Sequence, residues 1–67
     1  MQIEIFDEWR FLVPLPKLNV VIIVGIVGDD IVVADKETGD ESTFTRQAIL
    51  RECVLHKRYG VFYGGKI

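Results

Sequence analysis

The sequence lacks the usual devices that hold very small domains together. Its only cysteine is Cys53, which excludes an intramolecular disulfide, and one cysteine with one histidine, His56, cannot complete a four-ligand zinc site. Proline and glycine are scarce, with two and six residues, and 49% of the chain is hydrophobic, which excludes a disordered or low-complexity segment. No apolar run is long: Leu18 to Gly28 spans 11 residues and is broken by Asn19 and glycine, whereas a membrane-spanning helix needs about 20. The opening residues Gln2-Ile3-Glu4-Ile5-Phe6-Asp7-Glu8 carry acids where a signal peptide is apolar. A cytoplasmic protein with no membrane partner is therefore expected, in keeping with the unpaired cysteine.

Length itself is the next shortage. Sixty-seven residues allow one small domain, 1–67, and exclude a multi-domain enzyme. A domain of about 60 residues buries only about 60% of the surface its unfolded chain exposes. With disulfide and zinc routes closed, association with itself or with another molecule is the remaining source of stability.

The net charge of −2 conceals an asymmetry. Residues 1–45 hold nine acids against Arg10, Lys17 and Lys36, a balance of −6, while residues 46–67 hold Arg46, Arg51, Lys57, Arg58 and Lys66 against Glu52, a balance of +4. Such a split suits an anion-binding face or a contact between copies.

Local patterns predict a mainly β chain. Gln2 to Phe6 alternates well enough for a short first strand, and Trp9 to Val13 forms a second apolar run that should stop at Pro14-Leu15-Pro16, where N–H donors are missing. Val20 to Val27 is rich in β-branched residues, which crowd a helix and pack well on a sheet. A turn at Gly28-Asp29-Asp30, a returning strand Ile31 to Asp35, a second turn closed by Gly39 and a strand Glu41 to Phe44 complete a meander. From Thr45, a suitable N-cap, the spacing of Ile49, Leu50, Cys53 and Val54 predicts one short helix near residues 46–53, with Val54 and Leu55 able to extend it or to start a strand. A last strand is expected over Gly60 to Tyr63.

The central hairpin is apolar on both parities. Val20, Ile22, Val24 and Ile26 alternate with Val21, Ile23 and Val27, although a half-exposed strand should have one polar face. One face is therefore expected to be a partner or oligomer interface, lined by Val20, Ile22, Val24 and Ile26 with Trp9 and Phe11 as aromatic anchors.

Three motifs invite chemistry and fall short. Cys53 and His56 would meet on one helical face, yet no third group orients them and a lone cysteine is usually a small buried hydrophobe. The acids from Asp35 to Glu41 miss calcium-loop spacing, because the fifth position is Gly39 and the twelfth is Arg46. Gly60 to Ile67 mimics a phosphate loop, but Ile67 replaces the hydroxyl that binds magnesium. No cofactor is implied. The segment from His56 to Lys66 does interleave cations with aromatic rings, so Arg51, His56, Lys57 and Arg58 could take phosphates while Tyr59 or Tyr63 stacks on a base.

The order of elements over residues 20–63 resembles a small SH3-like or Sm-like antiparallel barrel, or a strongly curved sheet with one short helix. A fold of that kind does not carry function. The expected function is a non-enzymatic binding module, homo-oligomeric, that regulates or inhibits by occupying a partner protein; phages and mobile elements are a frequent source of such chains. The alternative is a binder of a nucleotide or short single-stranded nucleic acid through the basic and aromatic segment.

Overall fold

The structure, a computed structural model, describes residues 2–15, 18–58 and 61–62. Its strands are β1 (Glu8–Leu15), β2 (Leu18–Val27), β3 (Asp30–Asp35), β4 (Glu41–Thr45), β5 (Cys53–Arg58) and β6 (Val61–Phe62), with one helix, α1 (Arg46–Glu52). They form a single antiparallel sheet in the order β4-β3-β2-β1-β5-β6, with β4 and β6 as its edges. The sheet is mainly β as expected and is not closed into a barrel.

The sheet is nevertheless strongly curved. Phe11 on β1 and Phe44 on β4 have ring centroids 5.8 Å apart at 62°, although two strands separate them and neighbouring strands lie about 4.8 Å apart. Only a sheet folded over its own inner face brings those rings into edge contact. That face holds Trp9, Phe11, Val21, Ile23, Ile31, Val33, Cys53 and Leu55, and Ile3 from the segment before β1 and Ile49 of α1 join them in the core, all buried. Here α1 packs against β1, β4 and β5, covering the inner side.

A bulge in β2 decides which residues belong to this core. Ile23 pairs with Val33 and Gly25 with Val32, so Val24 is an extra residue, and an inserted residue exchanges the two faces of a strand beyond it. Val21 and Ile23 point inward before the bulge, and Ile26 points inward after it, packed against the core. Val24 itself is exposed.

The turns obey local chemistry. Gly28 and Gly39 adopt φ of 61° and 82°, a left-handed backbone that glycine enters without steric cost. Asp35 is buried and its Oδ1 accepts the N–H groups of Glu37 and Thr38 at 2.7 and 3.1 Å. Thr45 caps α1 as predicted, its hydroxyl accepting the Ala48 N–H at 3.1 Å.

Two sequence expectations are corrected and one open choice is decided. Residues 2–6 are not a strand; they lead into a turn in which Phe6 takes a φ of 70°. Pro14 lies within β1 instead of ending it, because pairing with β5 is complete by Phe11 and the prolyl segment faces only β2. The choice left open at Val54 and Leu55 falls to a strand: the short helix forms over Arg46–Glu52, and residues 53–58 form β5, where Cys53 and Leu55 share the inner face at strand spacing. The expected last strand is present at its centre as β6, Val61–Phe62, while Pro16, Gly60 and Tyr63 lie outside the described residues.

Candidate functional site: the outer sheet face and the Asp7 cluster

The strand alternation that buries Val21 and Ile23 turns Val20 and Ile22 to the opposite side of β2. Val32 and Ala34 of β3 flank them, Ala34 lying opposite Ile22, and Val24 adds an exposed side chain from the bulge. On β1 this outer face carries Glu8 opposite Ile22 and Arg10 opposite Val20. On β5 it carries Val54 opposite Arg10 and Lys57 opposite Glu8. The result is an apolar centre with a charged margin.

One ion pair crosses that centre. The Lys36 N–H donates to the Val20 carbonyl at 3.0 Å, placing Lys36 on the β3 side of β2, yet its Nζ lies 3.0 Å from Glu8 Oε1 on the β1 side. The lysine methylenes must therefore pass over β2, where they cover apolar surface while the ammonium finds its counter-charge. Val20 and Ile22, beside this path, are half-buried.

Several expected contact residues lie elsewhere. Trp9 and Phe11 are 1% and 3% exposed and belong to the core, so neither ring is available as an anchor on the surface. Ile26 also points inward, partly buried against the core, for the reason given by the bulge. Val20, Ile22 and Val24 remain on the outer face, joined by Val32 and Ala34 of β3.

The burial of Trp9 builds a second site. A buried indole N–H needs an acceptor, and Nε1 donates to Asp7 Oδ2 at 3.3 Å. Asp7 is itself fully buried, and a buried carboxylate requires a cation and further donors. Arg58 supplies both nitrogens of a fork, Nε to Oδ1 at 2.8 Å and Nη2 to Oδ2 at 2.7 Å, and the Glu4 N–H donates to Oδ2 at 2.9 Å. Burial pushes the Asp7 carboxyl up, but the Arg58 hydrogen bonds, the Glu4 and Trp9 N–H groups and the guanidinium charge together hold it below its ordinary 3.8. Arg58 also donates to the Gln2 carbonyl at 2.7 Å and lies 3.6 Å from Glu4. The main chain completes the attachment, with Phe6 N–H donating to Ile23 O and Ile23 N–H to Asp7 O at 2.7 and 2.8 Å. Asp7 was missed because it reads as a mere interruption of apolar sequence; its proximity to Trp9 was the only local signal.

This arrangement reassigns part of the anion-binding set. Arg58 is committed to Asp7, so its guanidinium is withdrawn from any phosphate role. Arg51 is exposed on α1 and paired with Glu52 at 3.0 Å. His56 and Lys57 are half-buried on β5, where His56 is the extra residue between the Trp9–Leu55 and Glu8–Lys57 pairs. Tyr59 and Tyr63 lie outside the described residues. Cys53 and His56 do not share a helical face, since both are on β5. Burial, with a smaller contribution from the Glu52 charge, pushes the Cys53 thiol up to about 11, so it is a protonated thiol at neutral pH.

Among the described residues no group of histidine, cysteine and carboxylate side chains could hold a metal ion, and no helix is long and apolar enough to cross a membrane. The chain matches no protein-family model, no curated protein and no solved structure.

Proposed function

We propose that the protein is a non-enzymatic binding module that associates with a second copy of itself and uses its outer sheet face to occupy a partner protein, as a cytoplasmic regulator or inhibitor. The observation that supports this reading is the outer face of β2 and β3, where Val20, Ile22, Val24, Val32 and Ala34 form an apolar centre while α1 is spent on the inner side. Contiguous apolar surface with a polar margin is the ordinary anatomy of a protein contact. The strand order, with the helix between β4 and β5, supports an SH3-like or Sm-like arrangement left open at its edges.

Native mass of the purified wild type at low micromolar concentration tests the reading, alongside Ile22→Asp. A homo-oligomer is expected, and any co-purifying chain should be kept by the wild type and lost from Ile22→Asp, which alters the outer face and leaves the core intact. A wild type that runs as a single chain with nothing attached overturns the reading. The nucleotide or single-strand alternative would instead give binding that weakens steeply with salt and disappears in Lys57→Glu, whereas an apolar contact is nearly indifferent to salt.

A further inference from the structure

Among the described residues the outer face is one feature that no other element covers; the edge strand β4 is another. β4 runs from Glu41 to Thr45, and its register with β3 is regular from Ala34–Glu41 to Asp30–Thr45. Among the described residues the other edge, β6, covers Val61–Phe62. Natural sheets blunt their edges with proline, lysine, bulges or covering elements, because unpaired N–H and C=O groups recruit another strand. The β4 sequence Glu-Ser-Thr-Phe-Thr carries a single charge, Glu41 at its first position, and has no lysine, no proline and no bulge in its pairing.

The flanking hydrogen bonds show which groups face outward. Asp35 N–H donates to Asp40 O at 2.8 Å at one end of the β3–β4 ladder, and Arg46 N–H donates to Asp29 O at 2.7 Å at the other. Hydrogen-bonded positions alternate along an antiparallel strand, so Ser42 and Phe44 face β3 between those two bonds. Glu41, Thr43 and Thr45 therefore turn their main-chain groups away from the sheet. Their side chains are exposed, and none of these residues has an interaction outside those described. The Thr45 carbonyl is taken into the first turn of α1 by its role as N-cap. Thr45 N–H and both groups of Glu41 and Thr43 remain.

We infer that a second copy of this chain pairs on the β4 edge, antiparallel about a two-fold axis through Thr43. The inference rests on the binding-module reading for self-association and names the surface that performs it. In this register all of β4 is used, whereas any shift shortens the ladder. Thr43 N–H donates to the Thr43 carbonyl of the second copy, and Thr45 N–H donates to its Glu41 carbonyl, each bond made twice by the symmetry. The charges also agree: Glu41 faces neutral Thr45, Ser42 faces Phe44, and Asp40 comes opposite Arg46 just beyond the strand ends. No carboxylate meets its own image. α1 leads away from the edge toward β1 and β5, and the outer faces of both copies lie side by side in one extended sheet, free for another protein.

The test combines mass with cross-linking of the full chain. Thr43→Pro removes an N–H that points away from β3, a position where an edge strand tolerates proline; the variant should stay folded by circular dichroism and run at half the wild-type mass. Ile22→Asp should keep the wild-type mass. Mild oxidation of Thr43→Cys should give an interchain disulfide, because directly opposed residues have Cα atoms about 5.5 Å apart, inside the disulfide range. Glu41→Cys alone should cross-link at least tenfold more slowly, yet mixing it with Thr45→Cys should restore the rate. Cys53 is buried and should not take part. A folded Thr43→Pro at full mass, or Thr43→Cys reacting no faster than Glu41→Cys, overturns the pairing. Mass lost in Ile22→Asp but kept in Thr43→Pro overturns the edge and leaves the binding module standing with the outer face as its self-contact. A wild type that is a single chain at every concentration overturns both.

Discussion

Asp7 and Asp35 are both buried carboxylates, and the protein satisfies them in opposite ways. Asp35 is answered by its own neighbours, the N–H groups of Glu37 and Thr38 in the turn it begins. Asp7 is answered across the whole chain, by Arg58, 51 residues away, as well as by Glu4 and Trp9. One carboxylate organises a turn and could be replaced by water if that turn opened. The other joins the N-terminal segment to β5 and sits where water does not reach, so its partners must all be present together. A buried acid with local donors is a detail of a hairpin, whereas a buried acid with a distant cation is a fastening for the fold.

The largest effect that would sharpen this contrast comes from Arg58→Met. It leaves Asp7 buried without its cation, and breaking a buried pair from one side costs about 3–5 kcal/mol. A domain of this length has roughly 3–10 kcal/mol in all, at about 0.05–0.15 kcal/mol per residue, so chemical denaturation should find the variant unfolded or close to it. A loss below about 1 kcal/mol would show that the pair is not a fastening.

Acid should produce a smaller effect of the same origin. Asp7 is held below 3.8 in the folded chain, so folding favours its ionised form and its contribution is complete above the ordinary value. That contribution fades as pH falls through the folded value, because the unfolded chain takes up the proton first. Stability measured between pH 5 and pH 2 should therefore decline with acidification, more steeply than in Asp7→Asn. In Arg58→Met, burial without the cation raises the carboxyl, so any residual stability should improve relative to wild type as pH drops. Parallel acid profiles for the three proteins would break the argument.

Asp35→Ala should cost least, about 1 kcal/mol, the usual scale for losing a side-chain acceptor at a turn or cap. The N–H groups it leaves belong to exposed Glu37 and Thr38, where water substitutes. Thermal unfolding should register a shift of a few degrees. An effect as large as that of Arg58→Met would mean that the two carboxylates do not differ in the way proposed.

The same contrast explains what could be read from the chain. The meander β2-β3-β4 was legible because it is written in neighbours: β-branched runs, Gly28 and Gly39 where φ is positive, and Thr45 before a helix. The boundary at Cys53 was ambiguous because Cys53 and Val54 satisfy helical spacing while Cys53 and Leu55 satisfy strand spacing. Only pairing with β1 decides it. The bulge at Val24 has no side-chain signature beyond the adjacent Gly25, and it sends Ile26 inward against the expected parity. The outer-face residues Val20, Ile22 and Val24 were therefore legible in part, while Trp9 and Phe11 were assigned to the wrong side. Arg58 looked like a phosphate ligand because its carboxylate lies at the far end of the sequence.

The span of the Asp7–Arg58 contact also sets an order of events. Closing a long loop costs entropy that local pairings do not incur, and contacts distant in sequence form slowly. The meander is assembled from adjacent segments and can condense first, giving β1 a surface to pair with. The bond between Asp7 and Arg58 can close only after β5 has come alongside β1, which makes it a late event on the folding path and an early one on the way out. Weakening it should accelerate unfolding and leave the folding rate nearly untouched. Such a bond governs how long the folded chain lasts more than how quickly it is reached.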